Sequence, residues 1–144
     1  LIRQLQREHG TTLLFVTHDL GVVAQICERM TVLYGGKVLE QGGTAEILRA
    51  PSHRYTQALL ASTPGLDAAP RRQRIVLKGE LPSPLDPPPG CVFSTRCPHV
   101  VARCRDERPL PREIDGRRVA CHLALSLPES GQAADRQHAL PSQP

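Results

Sequence analysis

Four consecutive apolar residues, Leu13-Leu14-Phe15-Val16, run directly into Thr17-His18-Asp19. The run is too short for a helix and shows no polar alternation, so it predicts a strand buried on both faces, as in a parallel sheet. Leu20 to Met30 then predicts a helix, with Val22, Val23, Ile26, Cys27 and Met30 apolar. Cys27 on that face reads as a small buried hydrophobe. A strand covered on both faces needs neighbouring strands and helical layers, so this short stretch commits the chain to an α/β fold. His18 falls at the carboxyl end of the strand, ahead of a helix, where open α/β sheets bind ligands. An imidazole there donates to a phosphate or steers a water, or else simply ends the strand as a polar residue.

Upstream, Leu1, Ile2 and Leu5 share one helical face, and His9-Gly10 suits a helix C-terminus. The chain opens on Leu1 inside this helix, which leads us to expect the C-terminal part of a longer protein. No apolar run approaches the ~20 residues of a transmembrane helix. The formal charge of +4 is unevenly placed. Residues 1–70 hold six Lys/Arg against six Asp/Glu, and residues 71–118 hold eleven against six. The basic excess suits a solvated surface or an anionic partner. Its arginines are interspersed with acids and lack an accompanying row of aromatics, so nucleic acid is not expected as the partner.

Downstream, Thr31–Tyr34 and Lys37–Gln41 predict a hairpin closed by Gly35-Gly36 and ended by Gly42-Gly43. Thr44 suits the N-cap of a short helix over Ala45–Arg49, with Pro51 beyond its end. Ser52 suits the cap of another helix, with Tyr55, Ala58 and Leu59 on one face and Pro64-Gly65 as its stop. With these motifs in place, Leu14-Phe15-Val16-Thr17-His18-Asp19-Leu20 resembles the switch-histidine strand of ABC transporter ATPases. Residues 30–42 resemble the hairpin that follows it there. Thr44–Leu48 and Pro51–Thr56 resemble the next two helices. The resemblance implies that His18 is the switch histidine, which contacts the γ-phosphate of ATP in a closed dimer of ATPase domains. It also implies ATP and Mg²⁺ as ligands of the full-length protein. Neither a G-x-x-x-x-G-K-[ST] phosphate loop, nor the Gly-rich signature motif, nor the acidic pair of a Walker B strand stands in residues 1–144. The chain alone is therefore expected to be inactive as an ATPase.

Beyond residue 65 the composition changes. Ile75–Gly79 reads as a short strand, and Pro82 to Gly90 as an extended or turn-like connector, since proline fixes φ and donates no hydrogen bond. Four of the five cysteines follow, Cys91, Cys97, Cys104 and Cys121, separated by five, six and sixteen residues. A segment this small and this poor in large apolar residues needs a staple. Disulfides suit an oxidising compartment. Zinc usually takes a C-x₂-C pair, absent here, although His99 and His122 could substitute as ligands. An iron–sulfur cluster accepts a looser frame of four thiolates, and Cys97-Pro98 is a weak cue for one. For the return to Cys121, Arg108–Pro111 and Asp115-Gly116 offer turn chemistry.

The flanks of these cysteines, Gly90-Cys91-Val92-Phe93, Arg96-Cys97-Pro98 and Val119-Ala120-Cys121-His122-Leu123, are similar to the C-terminal domain appended to oligopeptide/dipeptide-type ABC ATPases. That resemblance implies a [4Fe–4S] cluster on Cys91, Cys97, Cys104 and Cys121, with zinc as the alternative. It implies an α/β fold in which the C-terminal piece of an ABC ATPase (strand, helix, β-hairpin, two short helices) occupies residues 1–65. A linker over 66–90, an irregular four-cysteine domain over 91–123 and a disordered tail over 124–144 follow. The implied function is that of the ATP-hydrolysing subunit energising import of peptides, or of nickel or other small solutes. It would work at the cytoplasmic face of the membrane with a second ATP-binding subunit, membrane permease subunits and, indirectly, an extracytoplasmic solute-binding protein. The alternative is a non-enzymatic interaction or regulatory module bearing a metal or cluster.

Overall fold

Glycine and aspartate at positive φ make two hairpins, and the two hairpins make one sheet. The computed structural model describes residues 2–63, 77, 79, 81–83 and 85–125. Its elements are α1 (Ile2–His9), α2 (Leu20–Ile26), β1 (Arg29–Tyr34), β2 (Lys37–Gly43), α3 (Thr44–Arg49), α4 (Arg54–Ser62), α5 (Ala102–Asp106), β3 (Arg112–Ile114) and β4 (Arg117–Val119). The first hairpin turns on Gly35 and Gly36, at φ 53° and 71°. The second turns on Asp115 and Gly116, at φ 49° and 73°. Two consecutive residues at positive φ give the turn whose twist matches that of the flanking strands. The four strands run antiparallel in the order β1-β2-β4-β3. β4 joins β2 through Glu40↔Val119 and Gln41↔Arg118, so the cysteine-bearing segment extends the sheet that the first hairpin begins.

A bulge in the first hairpin decides what that junction buries. Val32 lies opposite Glu40 and Leu33 opposite Val38, which leaves Leu39 as the additional residue. Strict alternation would turn either Leu39 or Glu40 outward. With the bulge both are buried, at 2% and 0% exposure. Leu39 joins Tyr34, Cys91, Val92, Phe93 and Cys104 in the core, with Tyr55, Leu77, Cys97 and Val100 packed against it. Tyr34, Tyr55 and Phe93 meet edge-on or tilted, with ring centroids 4.8–5.3 Å apart. Such pairs add about 0.5–1.5 kcal/mol each beyond the area they bury.

Several expectations are corrected. Leu13–Val16 is not a buried strand: it belongs to no strand, and Leu14 and Val16 are each 88% exposed. A parallel strand takes its hydrogen bonds and its cover from neighbours, and no described strand lies beside it. Helix α2 stops at Ile26, and Cys27 is its extended, half-buried C-cap. Met30 belongs to β1, because Arg29 and Met30 pair with Gly43 and Gly42. Those two glycines therefore continue β2 instead of ending it. Helix α3 begins one residue earlier than the capping pattern predicts, with Gly43 as N-cap, and α4 one residue later, with His53 as N-cap. His53 caps α4 through its Nδ1, which accepts the Tyr55 N–H, while the Ser52 and His53 N–H groups both donate to the Glu40 carboxylate. Leu77 and Gly79 are not in a strand. The rest of that predicted strand apart from these two residues, the Arg71–Arg74 cluster, the Pro64-Gly65 stop and residues 126–144 lie outside the described residues.

Candidate functional site

His18 is exposed at the entry to α2. The segment that carries it is held by local bonds: the Asp19 N–H donates to Thr17 Oγ1 at 3.0 Å. Asp19 Oδ1 accepts from the N–H groups of Gly21 and Val22 at 2.8 and 3.1 Å. Aspartate is a preferred N-cap because it satisfies amides that lack an intrahelical partner. The imidazole therefore stands on a two-residue shoulder fixed from both sides, with its ring turned to solvent.

The other four candidate residues gather at the opposite end of the sequence. Cys91, Cys104 and Cys121 are buried, Cys97 is half-buried, and none is in a disulfide. The N–H of Cys91 donates to the Cys104 carbonyl at 2.8 Å, which ties the first and third cysteines together. Gly90 permits that approach, since a Cβ there would lie 2.4 Å from the Cys104 carbonyl oxygen. Burial pushes the thiols of Cys91, Cys97 and Cys121 up, and neighbouring cysteines push them further. Cys91 feels Cys121, Cys104 and Cys97, so all four sulfurs share one electrostatic neighbourhood. Opposing this, the backbone N–H two residues ahead donates to three of the sulfurs: Phe93 to Cys91, His99 to Cys97 and Leu123 to Cys121. Cys121 also receives the backbone N–H of Arg54, the first residue of α4.

In chemistry, these donors fit a thiolate-bound cation. Crowded, desolvated thiols resist ionising on their own, and a cation would relieve that resistance. In arrangement they fall short: among the described residues no group of three or more His, Cys, Asp or Glu side chains is placed to hold a metal ion. Of the two candidate substitute ligands, His122 has its Nε2 engaged with the Glu107 carbonyl at 2.9 Å.

A buried polar group, Glu40, Arg117 and His53, surrounds the α3–α4 corner. Glu40 Oε1 and Oε2 accept the N–H groups of Ser52 and His53 at 2.8 and 3.0 Å. Arg117, 2% exposed, lies 3.6 Å from Glu40 Oε1 and donates to the carbonyl of Ala50, the C-cap of α3. A cation at a helix C-terminus and an anion at the next N-terminus both follow the helix dipoles. His53, 1% exposed, accepts the Tyr55 N–H on Nδ1 at 3.0 Å. Burial lowers its pKa to about 4, against a smaller raising effect from the Ala120 backbone, so the ring is neutral at pH 7. One faint signal in the sequence is a charged residue directly after two apolar strand residues, Glu40 after Val38-Leu39. The partner of Glu40, seventy-seven residues on, carries no signal of its own.

Residues 39–104 match the family model for the oligopeptide/dipeptide transporter, C-terminal region. The chain is 49% identical over 126 residues to YkfD of Bacillus subtilis, provisionally named an oligopeptide transport ATP-binding protein, covering 85% of this chain and 38% of that one. It is 46% identical over 132 residues to the dipeptide transport ATP-binding protein DppF of Escherichia coli, covering 92% of this chain and 39% of that one. For DppF of Haemophilus influenzae the identity is 45% over 122 residues, covering 84% and 37%. The chain thus spans little more than a third of the length of these relatives.

Proposed function

From the premise that this chain belongs to the family of oligopeptide/dipeptide transport ATP-binding proteins, we propose that it is the C-terminal portion of an ATP-hydrolysing subunit that energises peptide import. The observation that carries this reading is the exposed His18 on its capped shoulder, in a chain whose relatives are named for ATP binding. In the full-length protein ATP and Mg²⁺ bind on the phosphate loop and Walker B carboxylates, which residues 1–144 do not contain. His18 contacts the γ-phosphate when two such subunits close on each other. Its partners are that second ATP-binding subunit, the membrane permease subunits and, through them, a solute-binding protein. The site of action is the cytoplasmic face of the membrane, and no described helix is long and apolar enough to cross it. Peptides are the cargo that the relatives' names favour over nickel and other small solutes.

Residues 1–65 serve as the closing part of the ATPase domain, 66–90 as a linker and 91–123 as a cysteine module, with 124–144 as a tail. Cys91, Cys97, Cys104 and Cys121 are the residues that would hold a [4Fe–4S] cluster, with zinc as the competing occupant. When bound, such a group supplies a cross-link between distant parts of the chain and, if it is a cluster, a one-electron couple. Supporting this are the shared environment of the four sulfurs and the N–H groups directed at three of them.

The test of the ATPase reading is His18→Ala in the full-length subunit. A contact made only in the closed dimer acts in the transition state, so turnover falls by about 10²-fold or more while nucleotide affinity is nearly retained. Normal turnover in that variant contradicts the assignment.

A further inference from the structure

Helix α2 has seven residues, too few to stand on propensity, so its ends decide whether it forms. Its first amides have no intrahelical acceptor and are met from residue 19. Asp19 Oδ1 accepts the Gly21 and Val22 N–H groups at 2.8 and 3.1 Å, and the Asp19 carbonyl accepts the Val23 N–H at 3.2 Å. Gly21 leaves room for the carboxylate, since a Cβ there would lie 3.1 Å from Oδ1. On the other side of His18, Thr17 Oγ1 accepts the Asp19 N–H at 3.0 Å. One bond therefore spans His18, from residue 17 to residue 19, and a cap fixes residue 19 to the helix. The helix is fixed in turn. Val23 is its buried residue, and the Val23 carbonyl accepts the Cys27 N–H at 3.0 Å. Just beyond, the Glu28 carbonyl accepts the N–H of Thr44, the first residue of α3, at 2.9 Å. The bonds within residues 17–27 join positions two to four apart, so they need no partner from elsewhere in the chain.

We propose that Asp19 and Thr17 are positioning residues for His18: they set the direction in which its imidazole leaves the backbone, ready to meet a γ-phosphate. The inference rests on the reading of His18 as the phosphate-contacting residue. Neither Asp19 nor Thr17 touches the nucleotide. His18 is exposed, so its placement comes through its backbone instead of through packing of the ring. A Thr hydroxyl that accepts the N–H two residues on closes a local turn, which holds residue 18 between two fixed neighbours. Without the cap, residues 17–21 sample several conformations, and only the fraction with the ring aimed correctly is competent. A contact made in the transition state is lost in that proportion, while nucleotide binding through other groups is kept. The acceptor oxygen is what acts, and an amide oxygen at position 19 caps a helix as well as a carboxylate does.

The experiment measures kcat and nucleotide Kd in the full-length subunit carrying Asp19→Ala, Asp19→Asn, Thr17→Val or His18→Ala, and in the double variant His18→Ala/Asp19→Ala. Asp19→Ala is expected to lower kcat about tenfold and to leave Kd within about twofold. Thr17→Val keeps the branched shape without the hydroxyl and is expected to lower kcat about threefold. Asp19→Asn is expected to stay within about twofold of the parent. The double variant should turn over at the rate of His18→Ala, because a residue that acts only through His18 then has nothing left to position. Parental turnover in Asp19→Ala beside a slow His18→Ala overturns this inference and leaves the reading of His18 intact. So does an Asp19→Asn as slow as Asp19→Ala. A double variant about tenfold slower than His18→Ala does the same, since that is the behaviour of a cap that only supports the fold. If Asp19→Ala does not fold, Thr17→Val and its combination with His18→Ala decide by the same comparison. Parental turnover in His18→Ala overturns both.

Discussion

His53 shows how one side chain makes folding depend on pH. Its ring is buried neutral, with a pKa of about 4 against 6.5 when unfolded. The unfolded chain therefore takes up this proton first as pH falls. Stability is complete above pH 6.5 and is lost progressively down to about pH 4, by roughly 3 kcal/mol at 1.36 kcal/mol per pKa unit. His53→Asn keeps an acceptor for the Tyr55 N–H and removes the titration. Urea midpoints measured between pH 7 and 5 should fall in the parent chain and stay nearly flat in the variant. Gly90 makes a second point at this scale. A methyl there meets the backbone of Cys104 and Arg105 at 2.4–2.6 Å, atoms that cannot step aside as a side-chain tip would. Gly90→Ala should cost about 1–3 kcal/mol by urea denaturation, with separation of Cys91 from Cys104 as its structural consequence.

Among the elements, the short β3–β4 hairpin has the largest effect for its size. Asp115 and Gly116 at positive φ set its register, and that register places Arg117 inward and Arg118 outward. Gly116→Val forces a β-branched residue into the left-handed region and should cost about 1–2 kcal/mol. Because β4 also pairs with β2, exchange protection at the Ala120 amide should fall with it. The turn chemistry of both hairpins was legible from Gly35-Gly36 and Asp115-Gly116, because it depends on local φ alone. Leu13–Val16 was misread because four apolar residues record that a partner is wanted, without supplying it. The pairing of β2 with β4 was not legible, since two residue pairs at long separation leave no periodic trace. The pairing of Glu40 with Arg117 was missed for the same reason: each is an ordinary charge until the bulge at Leu39 turns Glu40 inward.

At the scale of the molecule, the aromatic cluster and the shared antiparallel sheet weld two compositionally different stretches into one packed unit. Tyr34 and Tyr55 come from the ATPase-like stretch and Phe93 from the cysteine stretch. The flanks of the four cysteines marked them as a candidate set; in the structure Cys121, Cys104 and Cys97 each raise the Cys91 thiol, but among the described residues no three such side chains are placed to hold a metal ion. Cys27 stands outside it, half-buried at the end of α2. The central claim is that these four thiols, and not the fifth, hold one metal or cluster that joins the two stretches. Its most direct measurement is the iron, zinc and sulfide content, with the visible spectrum, of anaerobically purified full-length protein and of its five single Cys→Ser variants. The account predicts roughly four irons per chain and broad absorption near ~400 nm in the parent and in Cys27→Ser, bleached by serine at position 91, 97, 104 or 121. One zinc per chain in a colourless protein, lost in the same four variants, would keep the site and change its occupant. A parent protein carrying neither metal, or a metal lost in Cys27→Ser and retained in the other four, would contradict the account.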